Sequence, residues 1–224
     1  MSSYAFRQEF MASFEALGSE IFKEDWIKFD EDEPDIGDYY VAIDLAGFED
    51  VTSISQGKSK RLDSTAITVV KVNEEGWWVA EIVHGRWDLN STAEEIFDII
   101  EHYQPVAVGI EKGIAKQAVM SPLMDLMKRK QRFFRVEELT HGNKKKTDRI
   151  IWALQGRFEN GYVTLNKGDW NKEFMDQLFQ FPNPLVHDDL IDSLAYIDQL
   201  AKVPYHYEEF DFDDFEMLDP MAGY

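Results

Sequence analysis

Two short apolar runs that each close on an acid constrain this chain more than any other feature. Residues 39–45, Tyr39-Tyr40-Val41-Ala42-Ile43-Asp44-Leu45, are apolar almost throughout, and so are residues 106–110, which lead into Glu111. Runs of this length, without the polar alternation of a half-solvated sheet, are expected of strands buried on both faces. A carboxylate at the end of such a strand is costly unless a cation or hydrogen bonds compensate it, so Asp44 and Glu111 each call for an explanation. A lone acid at a strand end is most often a cap or turn residue. Two acids on neighbouring parallel strands are different, because both emerge at the carboxyl edge where α/β sheets place their ligands.

The remaining pattern alternates strands and helices. Residues 64–72 and 77–83 read as strands joined by the Gly-containing turn Asn73-Glu74-Glu75-Gly76, which with 39–45 makes a three-strand antiparallel meander. Ser91 or Thr92 is expected to cap a helix whose inner stripe is Ile96, Ile99, Ile100 and Tyr103, and Pro105 ends it. A helix to about Lys130, a strand over 133–136 and a helix over 147–158 follow. After them come a short edge strand over 162–165, a helix over 170–179 and a last helix opened by Asp188 or Asp189. This order predicts an α/β fold, a mixed sheet combining the meander with parallel strands and carrying helices on both faces.

Charge divides the chain into regions. The 43 acidic and 23 basic side chains give a net charge of −20. Residues 1–38 hold eleven acids against Arg7, Lys23 and Lys28, and residues 204–224 hold seven acids and no base. We read 1–38 as an attachment segment, 39–203 as the folded domain, and 204–224 as a flexible acidic, aromatic tail that is either a partner-docking segment or a solvated terminus. Two basic clusters stand out against this background: Lys58, Lys60 and Arg61, and Lys144, Lys145 and Lys146 within a stretch 112–149 of net +7. They are the expected contacts for a polyanion, although surface lysines commonly do no more than solvate a loop.

Composition removes several classes of function. With 44% hydrophobic and 14% aromatic residues the chain has enough apolar surface for a core, which a disordered chain lacks. There is no cysteine, hence no disulfide, thiolate metal site or cysteine nucleophile, and any metal must sit on oxygen or imidazole. No apolar run approaches the roughly 18 residues of a membrane span, and Met1 to Phe10 lacks the basic and apolar regions of a secretion signal, so an intracellular location is expected.

Late in the chain, His187-Asp188-Asp189-Leu190-Ile191-Asp192 sets Asp189 and Asp192 three residues apart, on one face of a helix start, with Asp188 as N-cap. The bland reading is acids complementing the helix dipole. If they join Asp44 and Glu111, the all-oxygen donor set favours Mg²⁺ or Mn²⁺ over zinc, and two such ions suit hydrolysis of a phosphodiester. Asp192 lies on the inward stripe of its helix, so metal coordination is the expected compensation for its charge; Asp189 has the free backbone amides of the first turn as another way to be satisfied.

Asp44 ending the first strand, Asp63-Ser64-Thr65-Ala66 opening the second, Glu111 ending the fourth and the late His187 to Ala195 stretch together resemble an RNase H-like nuclease. Three further stretches make the chain similar to the nuclease domain of the large terminase subunit of tailed bacteriophages: Arg7 to Trp26, Lys146-Thr147-Asp148-Arg149-Ile150, and Phe158-Glu159-Asn160-Gly161-Tyr162-Val163. The resemblance implies a metal-dependent endodeoxyribonuclease that cuts concatemeric viral DNA during packaging in the host-cell cytoplasm. It implies that Asp44 bridges two Mg²⁺ or Mn²⁺ ions, that Glu111 binds one of them and that Asp189 or Asp192 completes the site. Its implied partners are double-stranded DNA, an ATPase domain of the same terminase, the small terminase subunit and the portal protein. No phosphate-binding Gly-x-x-x-x-Gly-Lys-Ser/Thr loop is present; Gly57-Lys58-Ser59 fails because position 52 is Thr and a strand follows. The expected activity is therefore cutting without pumping. A Holliday-junction resolvase-like nuclease, a hybrid-cleaving ribonuclease and a catalytically silent docking module for portal or small subunit are the alternatives.

Overall fold

The computed structural model describes residues 21–46, 64–140 and 145–201. The basic loop carrying Lys58, Lys60 and Arg61, together with Lys144 and the acidic tail, lies outside them. Seven strands form one mixed sheet: β1 (Lys28–Phe29), β2 (Asp38–Asp44), β3 (Thr65–Asn73), β4 (Gly76–Gly85), β5 (Ala107–Glu111), β6 (Val136–Leu139) and β7 (Val163–Leu165). Among the described residues five α-helices accompany them: α1 (Leu89–Tyr103), α2 (Ile114–Lys130), α3 (Lys146–Glu159), α4 (Asn171–Gln180) and α5 (Asp189–Leu200). The strand order is β1-β7-β4-β3-β2-β5-β6. β2, β3 and β4 are the expected antiparallel meander, and β2, β5 and β6 run parallel.

Side-chain alternation along the central strands builds two cores. Tyr40 and Ala42 face one side, where Ile150, Leu154, Phe158, Phe174, Leu194 and their neighbours from α3, α4 and α5 cover them. Val41 and Ile43 face the other, under Ile96, Phe97, Ile100, Val119 and Leu123 of α1 and α2. This is the predicted RNase H-like mixed sheet with helices on both faces.

Four details differ from the sequence pattern. Asp88, not Ser91 or Thr92, caps α1: its carboxylate accepts from the Ser91 amide at 2.8 Å, because the helix begins at Leu89. β6 starts three residues later than expected; pairing with β5 carries Glu137 and Glu138 along the sheet edge, while Phe133 stays 70% exposed. β7 is not an edge strand, since Lys28 and Phe29 pair with it on its outer side and β4 on its inner side. Phe22, within the stretch read as an attachment, is buried against the rings of Phe158 and Phe181.

Candidate active site

Strand register brings the first two acids together. Parallel pairing sets Ile43 of β2 beside Ile110 of β5, so the next residues, Asp44 and Glu111, leave the sheet side by side. Asp44 shares the strand face of Tyr40 and Ala42 and therefore turns towards α5. It is 8% exposed. Burial is the largest reason its carboxyl is pushed well above the usual aspartate range; the negative charge of Asp192 and a hydrogen bond donated to Glu111 by the protonated form add to it, and the Lys146 ammonium opposes it.

α5 supplies the late acids from a helix start that is almost wholly buried. Its first turn is fixed by Gln177, whose carbonyl accepts from the Leu190 amide at 2.9 Å, and by a hydroxyl pair, Ser193 and Thr68, at 2.6 Å. Asp189, 6% exposed, accepts from the backbone amide of Ser64 at 3.0 Å, and His187 Nδ1 lies 3.8 Å from the same carboxylate oxygen. A neighbouring segment thus supplies a backbone amide to Asp189 from outside its own helix. Asp188 occupies the N-cap position, but its side chain makes no cap hydrogen bond and accepts from Lys146 Nζ at 2.8 Å.

Asp192 is the most buried acid of the group, at 1% exposure. Its two oxygens carry different cations: Oδ2 meets Lys146 Nζ at 2.9 Å and Oδ1 meets Arg149 Nη2 at 2.5 Å. Burial still drives its carboxyl above the ordinary range, with the Lys146 and Arg149 charges pulling the other way. Burial acts against the charge of Lys146 too, but Asp192, Asp44 and Asp188 outweigh it and raise its pKa above that of an ordinary lysine. Arg149 lies with its guanidinium 3.9 Å from the ring centroid of Tyr196, itself fully buried.

These two cations are what the sequence reading did not assign to the acids. Lys146, expected as a DNA contact, has its ammonium on Asp188 and Asp192 in the free chain; Lys145 is exposed at the head of α3. The available signal was spacing, since Lys146 and Arg149 lie three apart and share a helix face. An open groove of about 380 Å³ adjoins the cluster, lined by Lys146, Thr147, Phe181, Pro182, His187 and Asp189 among others. Among the described residues no three acidic or imidazole side chains stand close enough, as placed, to enclose a metal ion. The donor chemistry nevertheless fits a hard divalent cation. The nearby acids offer only oxygen; burial first, and then the charge of Asp192, raises Asp44, and the acids hold a lysine among them.

The family model described as the Terminase RNaseH-like domain matches residues 52–198. The chain belongs to this terminase nuclease family. No curated protein matches it by sequence. Solved structures with the same fold include the human cytomegalovirus terminase nuclease domain, Mn soaked and inhibitor bound, at a TM-score of 0.58 and 11% identity over 81% of this chain and 95% of that one. The large terminase nuclease of thermophilic phage G20c superposes at 0.51, with 15% identity, over 82% and 99% of the two chains. The large terminase of another thermophilic bacteriophage superposes at 0.54, with 12% identity, over 82% of this chain. The chain spans only 45% of that larger protein's length. Within the terminase nuclease fold, and among the described residues, the acid cluster at the carboxyl edge of β2 and β5 is where buried carboxylates from separate elements meet lysine and an open groove.

Proposed function

We propose that the chain is the nuclease of a viral DNA-packaging terminase, a divalent-metal-dependent endodeoxyribonuclease that cuts concatemeric viral DNA in the host cytoplasm. One observation carries the reading: Asp44 and Glu111 end adjacent parallel strands, and Asp44 feels the charge of Asp192 from the start of α5. Asp44, Glu111, Asp189 and Asp192 would hold two Mg²⁺ or Mn²⁺ ions. When bound, such ions make water nucleophilic at neutral pH and stabilise charge on the phosphoryl and leaving oxygens.

The chain's own residues do the rest. Asp44, beside Glu111 at the sheet edge and subject to the charge of Asp192, would be the ligand common to both sides of the site. The Ser64 amide and the core beneath α5 hold Asp189 and Asp192 in fixed orientation, which limits the reorganisation required during reaction. Lys145, with Lys58, Lys60, Arg61 and Lys144, would grip the DNA backbone, a role that needs charge and no sequence readout. In a whole terminase an ATPase domain, the small subunit and the portal would feed DNA to this site.

Supercoiled plasmid incubated with the protein in Mg²⁺, Mn²⁺ or excess EDTA tests the reading. Nicking and linearisation are expected with either metal and none with EDTA; cutting that persists in EDTA would remove the metal-dependent mechanism.

A further inference from the structure

We propose that Lys146 is an exchangeable counter-ion, holding Asp192 in the metal-free protein and yielding that carboxylate when a divalent cation binds. The inference rests on the reading of Asp192 as a metal ligand and adds the residue that competes for it. Its basis is the inequality of the two cations on Asp192. Arg149 holds Oδ1 at 2.5 Å with a side chain 8% exposed, stacked on the fully buried ring of Tyr196. It cannot leave without opening the core. Lys146 holds Oδ2 at 2.9 Å with a side chain 38% exposed, and its other partner, Asp188, is 35% exposed. It is the first residue of α3 and lines the groove, so rotation about its own methylene bonds carries the ammonium out to water. Oδ2 is therefore the oxygen the site can offer without disturbing its interior.

Charge makes the exchange exclusive. Lys146 is one positive charge set against Asp44, Asp188 and Asp192. A divalent cation on the same oxygen brings two, and an ammonium kept within about 3–4 Å of it would be strongly repelled. Arg149 then remains as the buried positive charge beside Oδ1 whichever cation occupies Oδ2.

Reductive methylation of the full chain, read by peptide mass spectrometry with and without saturating Mn²⁺, tests the exchange directly. Lys146, shielded between two carboxylates, should react slowly without metal and several-fold faster with it, while Lys145 stays constant as internal reference. An unchanged ratio of Lys146 to Lys145 labelling would overturn the proposal. Calorimetry supplies the second arm. If the Lys146–Asp192 pair is formed about nine-tenths of the time, Lys146→Met should bind Mn²⁺ about tenfold more tightly than the parent. Lys145→Met removes the same charge without touching Asp192 and should gain far less. Equal gains would mean long-range charge alone, and the exchange would be wrong. A parent protein that binds no Mn²⁺ would defeat the metal-site reading itself, an outcome distinct from a parent that binds metal without releasing Lys146.

Discussion

The two faces of the sheet solve different problems. Under α1 and α2, Val41, Ile43, Ile67 and Val69 meet Ala93, Ile96, Phe97 and Ile100 in apolar contact, where burial alone is favourable. Under α5 the sheet meets Leu190, Ile191 and Leu194, but the same helix also buries Asp189 and Asp192. Those charges are tolerable only because Ser64, Lys146 and Arg149 answer them. One face is built for stability, and the other gives up stability to keep carboxylates at the sheet edge.

The sharpest way to break this contrast is Asp44→Asn. It should reduce metal-dependent cleavage by at least about a hundredfold in a plasmid assay. The same change should make the metal-free protein more stable at neutral pH. Asp44 holds its proton more tightly folded than unfolded, so its ionisation lowers stability as pH rises from about 4, the ordinary aspartate value, through the raised folded value. Asparagine cannot ionise, so urea titrations should show an advantage at pH 7 that fades as pH falls towards 4. An Asn variant less stable than the parent at pH 7 would mean that burial and the neighbouring charge of Asp192 do not penalise the Asp44 carboxylate.

Arg149→Met should cost about 3–5 kcal/mol in urea unfolding, because it strips a buried carboxylate of its fixed partner. Pairing it with Asp192→Asn should recover much of the loss; a double variant as weak as the single one would assign the effect to packing on Tyr196 instead. On the opposite face, Ile96→Val should cost about 1 kcal/mol and leave Mn²⁺ affinity unchanged, since that side contributes nothing to the site. A shift in calorimetric affinity there would show that the two faces are coupled. The smallest effect belongs to Glu33, whose carboxylate Lys71 holds below the usual glutamate range across an ion pair of 2.6 Å. Glu33→Gln should remove about 0.5 kcal/mol, a modest figure because the glutamate is half exposed. That contribution is present above about pH 4.5 and lost as pH falls through the lowered folded value, so parent and variant melting curves should converge in acid.

Much of the fold was legible because burial leaves a period in the chain. The run 39–45 became β2, the hairpin at Asn73 to Gly76 became β3 and β4, and Asp189 opened the last helix. The pattern failed where exposure and pairing disagreed with it. β6 keeps two glutamates at the sheet edge, and β7 gained an outer neighbour from a two-residue strand too short to show any period. Asp88 capped α1 because the helix began two residues before the serine that looked like its cap.

Local sequence therefore determined which segments are buried strands and helices, and that Asp44, Glu111, Asp189 and Asp192 stand at their ends. Those are properties of neighbours along the chain, and periodicity records them. Tertiary structure alone decided what each acid meets. The β2–β5 register set Asp44 beside Glu111, the seating of α5 put Ser64 on Asp189, and the packing of α3 against α5 gave Asp192 both Lys146 and Arg149. Contacts between residues tens of positions apart, such as these, leave no period behind, because an ion pair depends on where two elements dock and not on the order of residues within either.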